Sequence, residues 1–344
     1  MTQPDINASD TAGPDLDTIE ALLDVTYTWG YEETREKLRN LYVKATRSQW
    51  ISDDVLAWDT DVDNERKMGP DHLLPLYGSD IYNKLTDKER TRLNQETQGW
   101  SLSQFLHGEQ GALLAAAQLV NSVETLDGKL YSGTQVVDEA RHVDVFNRYL
   151  HEKWQISYPI NPHLRTLLDM ILKDSRWDMK FLGMQIMVEG LALAAFGMIR
   201  QFTTEPLLRD LTTYVMQDEA RHVAFGILSL RDFYDDMKES DRREREDFVY
   251  EASILMRDRF LFQEVWEKQG LPVEECKQIT LNNQMQKVFR QLLFSKIVPA
   301  VKRLGLLSDR MRERFSQLDI LQYEDWVDAE QEQALQEAGA PQAA

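Results

Sequence analysis

The hexapeptide DEARHV stands twice in this chain, at Asp138–Val143 and at Asp218–Val223, 80 residues apart. Each copy contains a Glu-x-x-His pair, Glu139/His142 and Glu219/His222, and thirty residues ahead of each pair stands another carboxylate, Glu109 and Glu189. Residues three apart on a helix share one face, with Cβ atoms about 5–6 Å apart, so each pair can reach one ion. Four carboxylates and two imidazoles make a ligand set suited to two iron or manganese ions. Ligand affinity alone does not choose between those metals.

The spacing dictates what must position these groups. From Glu109 the chain climbs about thirteen residues, turns near Leu126-Asp127-Gly128 and descends a similar count to Glu139. An antiparallel helix pair returns the second Glu to the level of the first. The same count runs from Glu189 through a break at Thr203 to Pro206 and on to Glu219. Two such hairpins packed as a four-helix bundle bring one Glu from each of two helices together with Glu-x-x-His from the other two, the arrangement of dinuclear carboxylate bundles.

Local signals agree. Thr86 with Glu89 predicts a capping box at the start of the Glu109 helix, which should run to about Val123. Gly128 and Gly133 bracket the next start, and that helix should reach about Trp154. Pro159 and Pro162 break the chain before a shorter helix at 163–175. An apolar helix from about Asp178 to Phe202 carries Glu189, and one opened by Pro206 carries Glu219 to about Asp236. Residues 17–48 read as one or two amphipathic helices, and further helices fill 239–269 and 272–304. No stretch alternates with period two between turn signals, so the class is all-α. One helical domain is expected over 18–325, with its metal-binding core at about 86–236, between disordered acidic tails at 1–17 and 326–344.

Each ligand interrupts an apolar stripe. Leu102, Phe105, Leu106, Leu113 and Ala116 flank Glu109; Leu182, Gln185, Ile186, Leu193 and Phe196 flank Glu189. Val136, Val143, Phe146 and Leu150 flank the first motif, and Met216, Val223 and Ile227 the second. An unpaired buried carboxylate costs several kcal/mol even after relaxation. Four together require protons or cations, and two divalent ions balance them. Metal-bound His donates its other N–H, often to a carboxylate. Asp138 and Asp218 are the candidates, each crossing to the His of the opposite hairpin, with Arg141 and Arg221 holding them ionised. A solvated charged face would also spell DEARH, but not twice with a Glu at the same upstream distance. The other histidines, His72, His107, His151 and His163, read as structural, although His107 is close enough to Glu109 to line the site. Gly183, Gly190, Ala194, Ala195 and Gly197 beside Glu189 serve either a substrate cavity or close helix packing.

The net charge of −19 is concentrated at the ends: the acids of residues 1–17 and 324–344, with no base among them, supply ten of the excess negative charges. Such a chain suits neither nucleic acid nor an anionic membrane. The longest apolar run, Ile186–Ile199, is short of the ~20 residues that span a bilayer. The first 17 residues are polar and acidic, unlike a signal peptide. The single cysteine, Cys276, allows no internal disulfide and no cysteine-ligated cluster. A cytoplasmic protein that takes electrons from an external donor or from its substrate is the expectation.

On these residues the chain resembles the ferritin-like di-iron carboxylate superfamily over 100–235. Size and the DEARH wording are more similar to the oxygen-activating branch, which includes the ribonucleotide reductase small subunit, bacterial multicomponent monooxygenases and para-aminobenzoate N-oxygenase-like proteins. Leu74–Arg90 is similar to segments ahead of the first metal helix in the N-oxygenase group. Three positions depart. The reductase's radical tyrosine position is Phe146, the monooxygenases' threonine is Leu193, and the N-oxygenases' extra His ligand is Val215. The resemblance implies a non-haem di-iron oxygenase or oxidase. It would activate O2 to hydroxylate, desaturate or N-oxygenate a small organic substrate, and a homodimer is consistent with it. The alternatives are an iron-handling ferroxidase and a metal-stabilised, non-enzymatic scaffold.

Overall fold

The structure, a computed structural model, describes residues 17–327 and 329–339, and every regular element among them is helical. Four long helical segments form the core. The Glu109 helix, Asp87–Ser122, opens with the expected capping box: Thr86 accepts from the Glu89 N–H and Glu89 accepts from the Thr86 N–H. Its antiparallel partner, the Glu139 helix, begins at Leu126, with Thr125 as N-cap. The turn is therefore Val123–Thr125. Gly128 lies inside the helix rather than before it, and buried Asp127 accepts from the Thr34 and Arg35 N–H groups.

The second hairpin follows the same plan. Residues Trp177–Phe202 form one continuous helical rod, and a turn at Thr203–Glu205 leads to the Glu219 helix, Pro206–Asp235, with proline in its first turn. Length and composition would let Trp177–Phe202 cross a membrane (mean hydropathy 1.7 over its most apolar window), but 83% of that window is buried inside the protein. The rod is not uniform: Leu182–Val188 is π-helical, and regular α-helix resumes at Glu189 itself. A second π turn, Tyr149–Trp154, ends the Glu139 helix. Single π turns inside α-helices often accompany functional positions.

Flanking helices, among them Glu36–Arg47, Pro162–Lys173 and Glu239–Asp258, cover the bundle. Two expectations need correction. Residues 17–34 hold no helix, and only Glu36–Arg47 becomes one. The acidic end expected to be disordered from 326 contains a helix at Ala329–Gly339. Its Ala334 and Ala338 are buried, and Glu337 and Glu332 pair with Lys44 and Arg303, so partners distant in sequence order it. Of the expected tail at 1–17, all but Asp17 lies outside the described residues.

The stripes hold with two shifts. Leu106, Leu113, Val136 and Val143 are only half-buried, while Ala112, Ala115, Leu119 and Val145 take the core places. Among the small residues, Gly183 answers to close packing: a Cβ there would meet Ile171 at 2.5 Å.

Candidate metal centre

All six expected ligands converge inside the bundle, and none is more than 5% exposed. They fall into two groups, Glu109/Glu139/His142/Glu219 and Glu139/Glu189/His222, within each of which the ligating atoms lie within 4.8 Å of one another. Glu139 belongs to both. The imidazoles present Nδ1 inward. His142 Nδ1 lies 3.2 Å from Glu109, 3.4 Å from Glu139 and 3.1 Å from Glu219. His222 Nδ1 lies 3.1 Å from Glu139 and 3.6 Å from Glu219. Glu139 and Glu219 thus reach both rings, whose centroids are 6.0 Å apart.

The outward nitrogens make the crossed pairs that the duplication implies. His142 Nε2 donates to Asp218 at 3.2 Å, and His222 Nε2 to Asp138 at 3.3 Å. An ionised aspartate accepts only, so each pair fixes the tautomer that leaves an Nδ1 lone pair facing the centre. Arg141 bridges Asp138 and Asp218, and Arg221 pairs with Asp218.

Three contributors were missed from sequence, Gln49, Trp50 and Gln135, and Gln185 of the Glu189 stripe joins them. Gln49 donates to Asp138 and the Trp50 indole N–H to Asp218, each at 2.8 Å. The Arg141 guanidinium lies 4.5 Å over the Trp50 ring. Gln135 donates to Glu139 at 3.1 Å and to Glu189 at 2.8 Å, and Gln185 reaches Gln135 at 3.4 Å. Gln135 stands one helical turn before Glu139, a spacing that could have flagged it. Gln49 and Trp50 follow the helix Glu36–Arg47 and carry no such signal. His107 turns away, its Nε2 bonded to the Tyr158 carbonyl at 2.9 Å. Phe146, Leu193 and Val215 are all buried core, with Phe146 packed on Phe196.

Electrostatics show what the cluster demands. Burial and the neighbouring Glu219 push Glu109 up to about 8. Burial and Glu219 likewise raise Glu189 well above the carboxylate range. Burial would raise Glu139 too, but His222 and His142 overcome it and hold it low. Burial would lower both histidines, yet their bonds to Asp218, Asp138 and the glutamates raise them well above the usual value. Without a cation, protons must be shared among these groups. Even so, Glu139 Oε2, Glu189 Oε2, both Glu219 oxygens and His222 Nδ1 are buried with no hydrogen-bond partner. Unsatisfied buried acceptors are expensive. Acceptors converging on one point, with N/O donors suited to divalent iron or manganese, fit two metal ions.

One space adjoins the centre, and a second lies behind it. A chamber of about 20 Å³ is walled by Glu109, Glu189 and Glu219 on one side and by Phe105, Val188 and Arg259 among others. Beyond Phe105 lies an apolar cavity of about 300 Å³, with Ala195, Met198, Phe260 and Phe262 in its wall.

Comparison with known proteins gives three findings. The family model described as p-aminobenzoate N-oxygenase AurF matches residues 31–305. No curated protein sequence matches. Among solved structures, the R2-like ligand-binding oxidase with aerobically reconstituted metal cofactor after photoconversion is 18% identical, with 77% of this chain and 92% of that chain covered and a TM-score of 0.46. A variant of that oxidase with an anaerobically reconstituted Mn/Fe cofactor is 19% identical, with the same coverage and a TM-score of 0.47.

Proposed function

This chain belongs to the p-aminobenzoate N-oxygenase AurF family, and on that premise we propose that it transfers oxygen to the nitrogen of a small organic amine. At the coarser level it is an oxygen-activating di-iron oxidoreductase acting on a small organic molecule. The observation that carries the reading is the convergence of Glu109, Glu139, His142, Glu189, Glu219 and His222 with their unpartnered acceptors turned inward. Iron bound there supplies the reduction of dioxygen, which no side chain performs.

The chain's own residues do the rest. Asp138 and Asp218 hold the two imidazoles in one tautomer and orientation. Arg141 and Arg221 pair with those aspartates and orient them, and Gln135 fixes the rotamers of Glu139 and Glu189. Val188, Leu191 and Phe105 keep bulk water from the small chamber, which has room for a molecule the size of dioxygen. An amine with an apolar body fits the larger cavity beyond Phe105.

Iron rather than manganese, an external electron donor, a cytoplasmic location and a homodimer belong to the same proposal. The family's activity supports iron. The lone buried Cys276 supports a separate donor, because it cannot ligate an iron–sulfur cluster. The family match favours this reading over iron storage or a passive scaffold.

Metal analysis of the isolated protein, then ferrous loading and oxygen exposure in stopped flow with a panel of aryl and alkyl amines, tests it. Two irons per chain, an oxygen-dependent absorbance change and an amine product gaining oxygen are expected. A loaded protein that leaves oxygen unreduced with every amine and reductant would overturn it.

A further inference from the structure

Among the described residues, the wall of the apolar cavity beyond Phe105 holds no ionisable side chain. Phe202, Phe260, Phe262 and Phe289 are among its apolar members, and its polar members are all uncharged. The chain bends at Phe260–Phe262, with Phe262 in the left-handed region at φ 54°, and both residues enter this wall. Asn94, Thr97, Ser101 and Thr203 already have bonding partners. Among the polar members that are not exposed to solvent, two amides still have bonding capacity. Gln98 is half-buried and makes no hydrogen bond to any described residue. Gln286 donates to the Leu73 carbonyl at 2.7 Å, but its Oε1 is buried without a partner. Buried amide groups left unpaired are costly, and a ligand that bonds to them relieves the cost.

The Glu109 helix sets where these groups lie relative to the centre. Gln98, Ser101, Phe105 and Glu109 follow one another at spacings of three and four, so they share one face of Asp87–Ser122. Phe105 is the wall common to cavity and chamber, and Glu109 is a ligand beyond it. Eleven positions separate Gln98 from Glu109, a rise of about 16 Å along the helix. A molecule whose amine faces the centre past Phe105 therefore lays its body along this face, with its far end towards Gln98.

We infer that Gln98 is a specificity-determining residue and that the substrate is an elongated amine whose far end is neutral and hydrogen-bonding, a hydroxyl or a carboxamide, rather than a carboxylate. This chain then departs from the compound in its family's name. The carboxylate of p-aminobenzoate would meet a wall with no cation to pair it, and an unpaired carboxylate is costly to take out of water. A neutral amide or hydroxyl bonds to the Gln98 amide without that charge penalty. The inference deepens the proposed function by naming the far end of the substrate, and it rests on that reading for which end faces the centre.

The test uses iron-loaded protein without oxygen and three probes that differ only at the far end: 4-(4-aminophenyl)butanamide, 4-(4-aminophenyl)butanoate and 4-butylaniline. Each is titrated by calorimetry. The wild type should bind the amide about tenfold or more tighter than the acid. Gln98→Leu should weaken the amide about tenfold and leave 4-butylaniline unchanged, which a loss of packing would not do. Gln98→Lys should turn the preference towards the acid, because it supplies the missing cation. Three results overturn the inference: equal binding of amide and acid by the wild type, a loss in Gln98→Leu that is absent or shared by 4-butylaniline, or a lysine variant that still prefers the amide. Oxygen is admitted only afterwards. Selective binding with no oxygen transfer counts against the proposed function, whereas oxygen transfer without the selectivity counts against this inference.

Discussion

The two hairpins carry the same six residues in different surroundings, and the differences lie outside the repeat. Asp138 accepts from Gln49, Arg141 and His222, whereas Asp218 accepts from Trp50, Arg141, Arg221 and His142. Glu109 stands on an uninterrupted helix of 36 residues; Glu189 stands at the exit of a π-helical turn and is tied by Gln135. The Arg141 guanidinium stacks over Trp50 and reaches both aspartates, whereas Arg221 pairs with Asp218 alone. Duplication thus explains the ligand set, and the neighbours break its symmetry. Two chemically distinct groups of candidate ligands from one repeated motif are what that asymmetry produces.

Ligand removal probes this most strongly. Glu139 belongs to both ligand groups, so Glu139→Ala should lose both ions, while Glu189→Ala should lose one and leave the group of Glu109, Glu219 and His142 loaded. Metal analysis after desalting gives the count directly. Equal stoichiometry in the two variants would mean that Glu139 does not bridge. Next come the aspartates. Asp218→Asn and Asp138→Asn should each cost about 10- to 100-fold in metal affinity, because the imidazole loses its acceptor and its tautomer control. Asp218→Asn should cost more, since Arg221 and Trp50 also lose their ionised partner. The reverse order, measured by competition with a chelator, would show that the extra contacts on Asp218 do not matter.

Proton linkage is smaller and distinguishes loaded from metal-free protein. Glu109 titrates near 8 in the folded, metal-free chain against 4.5 ordinarily. The folded state then binds more protons than the unfolded state between those values, so stability falls as pH rises from about 4.5 to about 8. The raised histidines act in the same direction: their contribution is full below the unfolded value of 6.5 and is lost as pH climbs through the folded one. The metal-free protein should lose stability on the order of a few kcal/mol across this range. The loaded protein, whose ligands are already deprotonated, should not. Glu109→Gln should flatten the metal-free curve. Parallel melting curves for loaded and metal-free wild type would contradict the assignment.

How much of this was legible depended on sequence distance. The convergence of the six side chains and the crossed Asp–His pairs could be read because helix periodicity and equal hairpin lengths are local quantities that place residues at one height. The capping box at Thr86 and the proline at 206 are local too, and both hold. Trp50 and Gln49 were illegible: they meet Asp218 and Asp138 across 168 and 89 residues, and nothing in their own segment announces it. The helix at Ala329–Gly339 was misread for the same reason, because its acids find bases at Lys44 and Arg303. The bend at Phe260–Phe262 escaped because no glycine marks a left-handed residue there.

The smallest expected effect tests whether those distant residues treat the two copies differently. Trp50 is buried and its indole N–H is one of several donors to Asp218; Gln49 is exposed and donates to Asp138. Trp50→Phe keeps the packing on Tyr214 and Arg141 but leaves a buried aspartate with one donor fewer, at a cost of about 1–2 kcal/mol. Water can replace the lost donor in Gln49→Leu, so that change should stay within about 0.5 kcal/mol. Neither should alter the number of ions bound, because Asp218 keeps His142 and both arginines, and Asp138 keeps His222 and Arg141. Chemical denaturation of the loaded variants measures both costs. Equal destabilisation would mean that the two motif copies are supported alike, and that the asymmetry of the centre must come from Gln135 and the π turn before Glu189 instead.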